Sequence, residues 1–223
     1  MKRFQALIFD FDGTLARVPL DFNLMRRKIA ALAEGFLPER PAVDGQPALE
    51  FVEELTRQVE KYRNRDEGLE FNCRARLAIT DMEVRAAEKG ELFEFTRPAL
   101  DLLRERNVAV GVISRNITPA VKGVFPDIME HVQIFIPRDK AVRVKPHPDH
   151  MHQALASMGV APEDSLMVGD HPMDVETGVR AGAAAAGVTT GNTDAAGFQE
   201  SGALFVEEHV GRLMDVLLSR QLI

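Results

Sequence analysis

The stretch Leu7-Ile8-Phe9-Asp10-Phe11-Asp12-Gly13-Thr14-Leu15 decides how this chain is read. An apolar run enters two carboxylates two positions apart, followed by a glycine and a hydroxyl. Alternate side chains of a strand share a face. If the strand frays into a loop at Asp10, then Asp10 and Asp12 can converge on one ligand at its carboxyl end, where open α/β sheets bind ligands. Stability gives no reason to end a buried strand in paired acids, because unpaired buried carboxylates are costly. Alone, Asp-x-Asp-Gly also fits an ordinary turn or a fragment of a calcium loop, so the remaining chain has to decide.

The 223 residues are 45% hydrophobic and 27% charged, enough for one core or for a core with a smaller insert. The net charge is -7 and the pI is near 5.4. Without a lysine/arginine block, nucleic acid is not expected as a partner. A single cysteine, Cys73, rules out an intrachain disulfide framework. It lies in a helical pattern and reads as a small buried or half-buried hydrophobe. Met1-Lys2-Arg3 followed by apolar residues mimics a signal peptide, but Asp10 and Asp12 interrupt the run and no small-residue cleavage site follows. No segment approaches the roughly 18 apolar residues of a membrane span. A reducing, cytoplasmic setting is the expectation.

Residues 4–9 read as a buried strand. Apolar residues then recur at helical spacing from Phe22 to Glu34, and two charged amphipathic helices follow over 48–64 and 68–89. The intervening 35–47 carries Gly35, Pro38, Pro41, Gly45 and Pro47 and reads as a loop. Thr96 is the expected N-cap of the next helix, with Pro98 in its first turn. Beyond it, strands over 108–113, 132–136, 165–168, 183–188 and 204–206 alternate with helices, the last over 208–219. The alternation implies a parallel sheet covered on both faces. Asp10 and Asp12, Ser114, and Asp170 each follow the apolar run of a strand, so they can meet along one sheet edge. The alanine-rich run Ala181–Ala186 reads as close helix–strand packing.

Lys145, in Val144-Lys145-Pro146-His147-Pro148, would add a positive charge to that edge. Four stations therefore occur in order: Asp10-Phe11-Asp12-Gly13-Thr14, Ser114, Lys145, and Gly169-Asp170-His171-Pro172-Met173-Asp174. Together they resemble the haloacid dehalogenase superfamily of phosphohydrolases, over residues 7 to about 190. The resemblance implies an α/β fold: a Rossmann-like parallel-sheet core, residues 1–16 and 94–223, with an inserted α-helical cap, residues 17–93. The cap resembles that of the subfamily including phosphoglycolate phosphatase.

By this resemblance, Asp10 attacks phosphorus and forms an aspartyl-phosphate, which splits a very slow hydrolysis into two steps. Asp12 protonates the leaving alcohol and then activates water. Mg²⁺ is the implied cofactor, held by the Asp10 carboxylate, the Asp12 carbonyl and the Asp170 carboxylate. Ser114 and Lys145 are assigned to phosphoryl oxygens, and Phe11 and Asp12 to substrate contact; Arg115 and Asn116, next after Ser114, are candidates for substrate contact by position, Arg115 reading also as a surface salt bridge. Asp174 belongs behind the metal, through water or Lys145. Thr14 serves either as a structural ST-turn on the turn backbone or in a direct role in the site. Gly13 lets the chain turn with no side chain near the phosphate. His147, His150 and His152 lack the i, i+4 spacing of a helical metal pair.

The expected function is Mg²⁺-dependent hydrolysis of a small phosphorylated metabolite by a monomer or small homo-oligomer, with no nucleic-acid or membrane partner. Asp12 argues against carbon–halogen cleavage, since dehalogenases of the family resemble Asp-x-Tyr at this place. A sugar phosphomutase of the β-phosphoglucomutase type shares both acids and the cap and stays open. So does a noncatalytic phosphate-binding role, although it would not require every acid. Arg17, Arg26, Arg27, Arg63 and Arg65 are candidate anion contacts in the insert, each also readable as a solvated helix face.

Overall fold

Alternating apolar side chains build the sheet. A computed structural model describes residues 2–223. In its first strand, β1 (Ala6–Phe9), Leu7 and Phe9 enter one buried cluster while Ala6 and Ile8 enter another. This is the period of two expected of a strand covered on both faces. The later strands are β2 (Ala16–Arg17), β3 (Glu91–Leu92), β4 (Ala109–Ile113), β5 (Ile134–Ile136), β6 (Ser165–Gly169), β7 (Ala184–Val188) and β8 (Phe205–Glu207). Six of them form one parallel sheet in the order β5-β4-β1-β6-β7-β8. β1 lies inside it, with Phe9 in register with Val112 on one side and Val168 on the other.

The helices are α1 (Phe22–Ala33), α2 (Ala48–Tyr62), α3 (Arg65–Ala87), α4 (Thr96–Glu105), α5 (Thr118–Val124), α6 (Ile128–His131), α7 (Asp149–Met158), α8 (Pro172–Ala181), α9 (Ala195–Glu200) and α10 (Val210–Ser219). One sheet face packs Leu7, Phe9, Val110, Val112, Leu166 and Val168 with Leu100 and Leu103 of α4 and Leu213 and Leu217 of α10. The opposite face packs Ala6, Ile8, Ile113 and Met167 with Met151 and Leu155 of α7 and Val175 of α8. α8 lies so close that a Cβ at Gly178 would stand 2.7 Å from Met167 Cβ. Small residues there are a packing requirement. No helix among the described residues is long and apolar enough to cross a membrane.

The chain divides into two compact units, one of Met1–Val18 and Ala87–Ile223 and the other of Pro19–Ala86. In the first, β2 and β3 form a short antiparallel ribbon, Ala16 opposite Leu92 and Arg17 opposite Glu91. Two-residue strands carry no periodicity, so the sequence pattern does not reveal them. The ribbon keeps Arg17 and residues 91–92 with the sheet. In the second unit, Asp21 caps α1 by accepting from Leu24 N at 2.7 Å. Buried residues recur there with helical period: Met25 and Ile29 on α1, Phe51, Leu55 and Val59 on α2, Phe71, Ala75 and Ile79 on α3.

Two expectations are corrected. Thr96 is not an N-cap; Phe95 holds that position and Thr96 begins α4. Its hydroxyl donates instead to Leu15 O at 2.5 Å, so the loop after β1 receives the bond. Cys73 is exposed rather than half-buried. It lies two residues from both Phe71 and Ala75, about 200° around the helix, and so faces away from their buried stripe.

Leu7→Ala removes a fully buried side chain and should cost about 2–5 kcal/mol in chemical denaturation. Val142→Ala, at a residue 75% exposed, should stay within about 0.5 kcal/mol of the wild type.

Candidate active site

The carboxyl ends of β1, β4 and β6 lie side by side, and each delivers polar residues to the same edge of the sheet. Asp10 follows β1 and donates its N–H to Val168 O at 2.9 Å, the last ladder bond before the chain turns away. The turn is tight: Leu15 N and Ala16 N both donate to Phe11 O, at 2.9 and 3.0 Å. Gly13 sits at φ +79° inside it, a conformation that side chains disfavour. Phe11 sends its side chain wholly into the core, leaving only its backbone for the site. Asp12 accepts from Val18 N at 3.1 Å through Oδ1.

Lys145 is the centre of the cluster and is 1% exposed. Its ammonium lies 2.7 Å from Asp10 Oδ1 and 2.6 Å from Asp174 Oδ1. Asp10 Oδ1 also accepts from Phe11 N at 2.7 Å. Asp174 occupies the first turn of α8, and its Oδ2 accepts from His171 N at 3.1 Å. The capping box that starts this helix therefore also aims a carboxylate at Lys145. Asp170, after β6, accepts from Thr14 Oγ1 at 3.2 Å. The Thr14 hydroxyl thus links the loop after β1 to the acid after β6.

Ser114 follows β4, is 1% exposed, and donates its N–H to Ile136 O at 3.1 Å. Its Oγ accepts from Asn116 N at 3.1 Å, an ST-turn. Arg115 directs one guanidinium N–H to Lys145 O at 2.7 Å, tying the β4 loop to the lysine loop. Elsewhere, Arg26 donates to Asn23 Oδ1 at 2.5 Å and Arg63 to Phe36 O at 3.1 Å, both within the Pro19–Ala86 unit.

Burial is the largest influence on the acids. It raises Asp10 to about 6 against the pull of the Lys145 charge. It raises Asp12 to about 7, with help from the charge of Asp10. It raises Asp170 to about 8, reinforced by Asp10, Asp174 and Asp12. Burial would lower Lys145, but Asp10 and Asp174 outweigh it and hold the ammonium charged. The cluster is thus short of positive charge. Oxygen atoms of Asp10, Asp170 and Asp174 lie within 4.8 Å of one another. A compact, all-oxygen acidic set with a charge deficit suits a hard divalent cation.

Three contributors escape a motif reading. His150 is fully buried; its Nδ1 accepts from Lys145 N at 3.2 Å and its Nε2 donates to Ile136 O at 2.9 Å. Thr190 Oγ1 donates to Gly13 O. Gly191, like Gly13, lies against Asp170, and a Cβ at either glycine would collide with Asp170 Oδ2. Thr190 and Gly191 follow β7 in a stretch without helical or strand period, so only the strand's carboxyl end could have pointed to them.

The family described as haloacid dehalogenase-like hydrolase matches residues 4–182. Phosphoglycolate phosphatase of Escherichia coli K12 is 32% identical over 108 residues, covering 47% of this chain and 43% of that protein. Pyrophosphatase PpaX of Oceanobacillus iheyensis is 32% identical over 98 residues, covering 43% of this chain and 46% of that protein. The matched stretches thus span less than half the length of these curated relatives. The crystal structure of a hydrolase from Pseudomonas syringae matches 96% of this chain and 98% of its own with a TM-score of 0.72. At 20% identity that likeness shows the fold.

Two measurements test the electrostatics. Asp170→Asn removes a carboxylate that burial, reinforced by its acidic neighbours, pushes up to about 8, and keeps an acceptor for Thr14. In metal-free buffer at pH 8 the variant should melt higher than the wild type, and Mg²⁺ should raise its melting temperature less. His150 is lowered to about 4 by burial, so the folded protein resists its protonation and the unfolded chain does not. Its effect is absent above pH 7 and grows as pH falls toward 4. Relative to His150→Gln, the wild type should lose about 2 kcal/mol of stability between pH 7 and pH 5.

Proposed function

The chain belongs to the haloacid dehalogenase-like hydrolase family, and from that premise we propose that it is a Mg²⁺-dependent phosphatase of small phosphomonoesters. The observation that carries this reading is the buried Lys145 ammonium, 2.7 Å from Asp10 and 2.6 Å from Asp174 at the sheet edge. An anionic nucleophile repels an anionic phosphate. A fixed cation beside it offsets that repulsion without reorganising during the reaction.

Asp10 attacks phosphorus, its oxygen forming the new bond as the ester oxygen–phosphorus bond breaks. The departing oxygen takes a proton from Asp12, whose value near 7 leaves much of it protonated at neutral pH. Asp12, now ionised, accepts a proton from water as the water oxygen bonds to phosphorus. The Asp10–phosphorus bond breaks, and phosphate leaves with Asp12 protonated again. Ser114, Asn116 and Lys145 hold phosphoryl oxygens through the sequence, while Asp174 fixes the lysine and Thr14 fixes Asp170. Mg²⁺, held by Asp10, Asp170 and the Asp12 carbonyl, would supply the further positive charge that the buried acids and the phosphate require.

A panel of phosphorylated metabolites assayed for inorganic phosphate, with no added acceptor, tests the reading. The names of the two curated relatives put phosphoglycolate and pyrophosphate first on it. Asp10→Asn should reduce release to the blank while the fold, read by circular dichroism, persists. Asp12→Ala should lose ~10²–10⁴-fold on alkyl esters and less on p-nitrophenyl phosphate, whose leaving group needs less protonation. EDTA should abolish turnover and Mg²⁺ restore it. Isomerisation of a sugar phosphate without phosphate release would replace hydrolysis by mutase chemistry.

A further inference from the structure

We propose that the outer face of α3 pairs with the same face of a second copy of this chain, antiparallel about a two-fold axis beside Leu77. α3 is apolar on two sides. Phe71, Ala75 and Ile79 are buried, whereas Leu69, Leu77 and Val84 are 51%, 68% and 36% exposed. Cys73 joins them on the exposed side. At about 3.6 residues per turn, Leu69, Cys73, Leu77 and Val84 fall within an arc of roughly 80°. That is the narrow seam of a helix that packs on another helix, set opposite the face already used within its own unit.

The charges beside the seam specify the occupant. One flank carries Glu70, Arg74, Asp81 and Arg85, alternately acidic and basic, with every side chain at least 49% exposed. Turned end for end about the point between Leu77 and Ala78, the helix sets Glu70 against the partner's Arg85 and Arg74 against the partner's Asp81. A parallel two-fold pair would instead set this flank against the partner's opposite flank, and the match would be lost. The flank is therefore complementary to its own reverse, which is what a closed two-fold interface requires. Within one chain these residues already pair as Glu70 with Arg74 and Asp81 with Arg85. Association would join the two pairs across the axis into four-charge networks. A single helix pair falls below the ~1,200 Å² of standard interfaces, so micromolar affinity is expected.

Sedimentation equilibrium of the full chain, run up to about 200 μM, reads the association directly. The wild type should dimerise, and Leu77→Glu should be monomeric with an unchanged circular dichroism spectrum. Arg74→Glu should weaken the dimer at least tenfold, and adding Asp81→Arg should restore it. Orientation has its own readout. Antiparallel pairing leaves the two Cys73 Cα atoms about 13 Å apart along the axis, beyond the reach of a disulfide. Mild oxidation should therefore leave wild-type chains unlinked, while Leu77→Cys in a Cys73→Ser background should link. A wild type that stays monomeric, a dimer that survives Leu77→Glu, or ready linkage through Cys73 would each overturn the proposal.

Discussion

One buried ammonium holds the acidic edge of this sheet together. Lys145 lies between Asp10, from the strand end, and Asp174, from the first turn of α8. Two elements far apart in sequence meet on the same charge. Removing one partner of a buried pair typically costs ~3–5 kcal/mol, because the other charge is left stranded. Here the acids outnumber the cation, so the balance is negative even with Lys145 in place. That imbalance is a poor arrangement for stability and a good one for receiving a cation. Burial first, and the charge of the neighbouring acids second, raise Asp12 and Asp170.

The lysine is held from behind as firmly as from the front. Its backbone N–H ends on His150 and its carbonyl on Arg115. His150 can serve both Lys145 N and Ile136 O only as the neutral imidazole, with Nδ1 accepting and Nε2 donating. Burial enforces that form. Ile136 O receives Ser114 N as well, so the end of β5 organises both the hydroxyl and the lysine of the site. Positioning on strand ends and a neutral histidine is stiffer than positioning on loop side chains alone.

Much of this was legible in the sequence, for identifiable reasons. Strands buried on both faces announce themselves as apolar runs, and the polar residues that end them stand out: Asp10 after Phe9, Ser114 after Ile113, Asp170 after Gly169. Features set by tertiary contact were not legible. Thr96 carries the chemistry of a cap, yet Leu15 O claims its hydroxyl. Cys73 has the composition of a buried residue, yet the helical phase of α3 turns it outward. The ribbon of β2 and β3 is too short for any periodicity. Gly191 contributes by lacking a side chain, and a single sequence cannot say which glycines are needed for room.

The space around Asp170 has a consequence for redesign. Beside the Thr14 hydroxyl, its carboxylate meets two backbones, at Gly13 and at Gly191, which cannot be trimmed as a side chain can. Exchanging aspartate for the longer glutamate would push a methylene into those walls. The room for a longer acid at this position is therefore set by the separation of two loops, one after β1 and one after β7. Making that room would have to begin by moving those loops apart, and no exchange of the acid alone would do it.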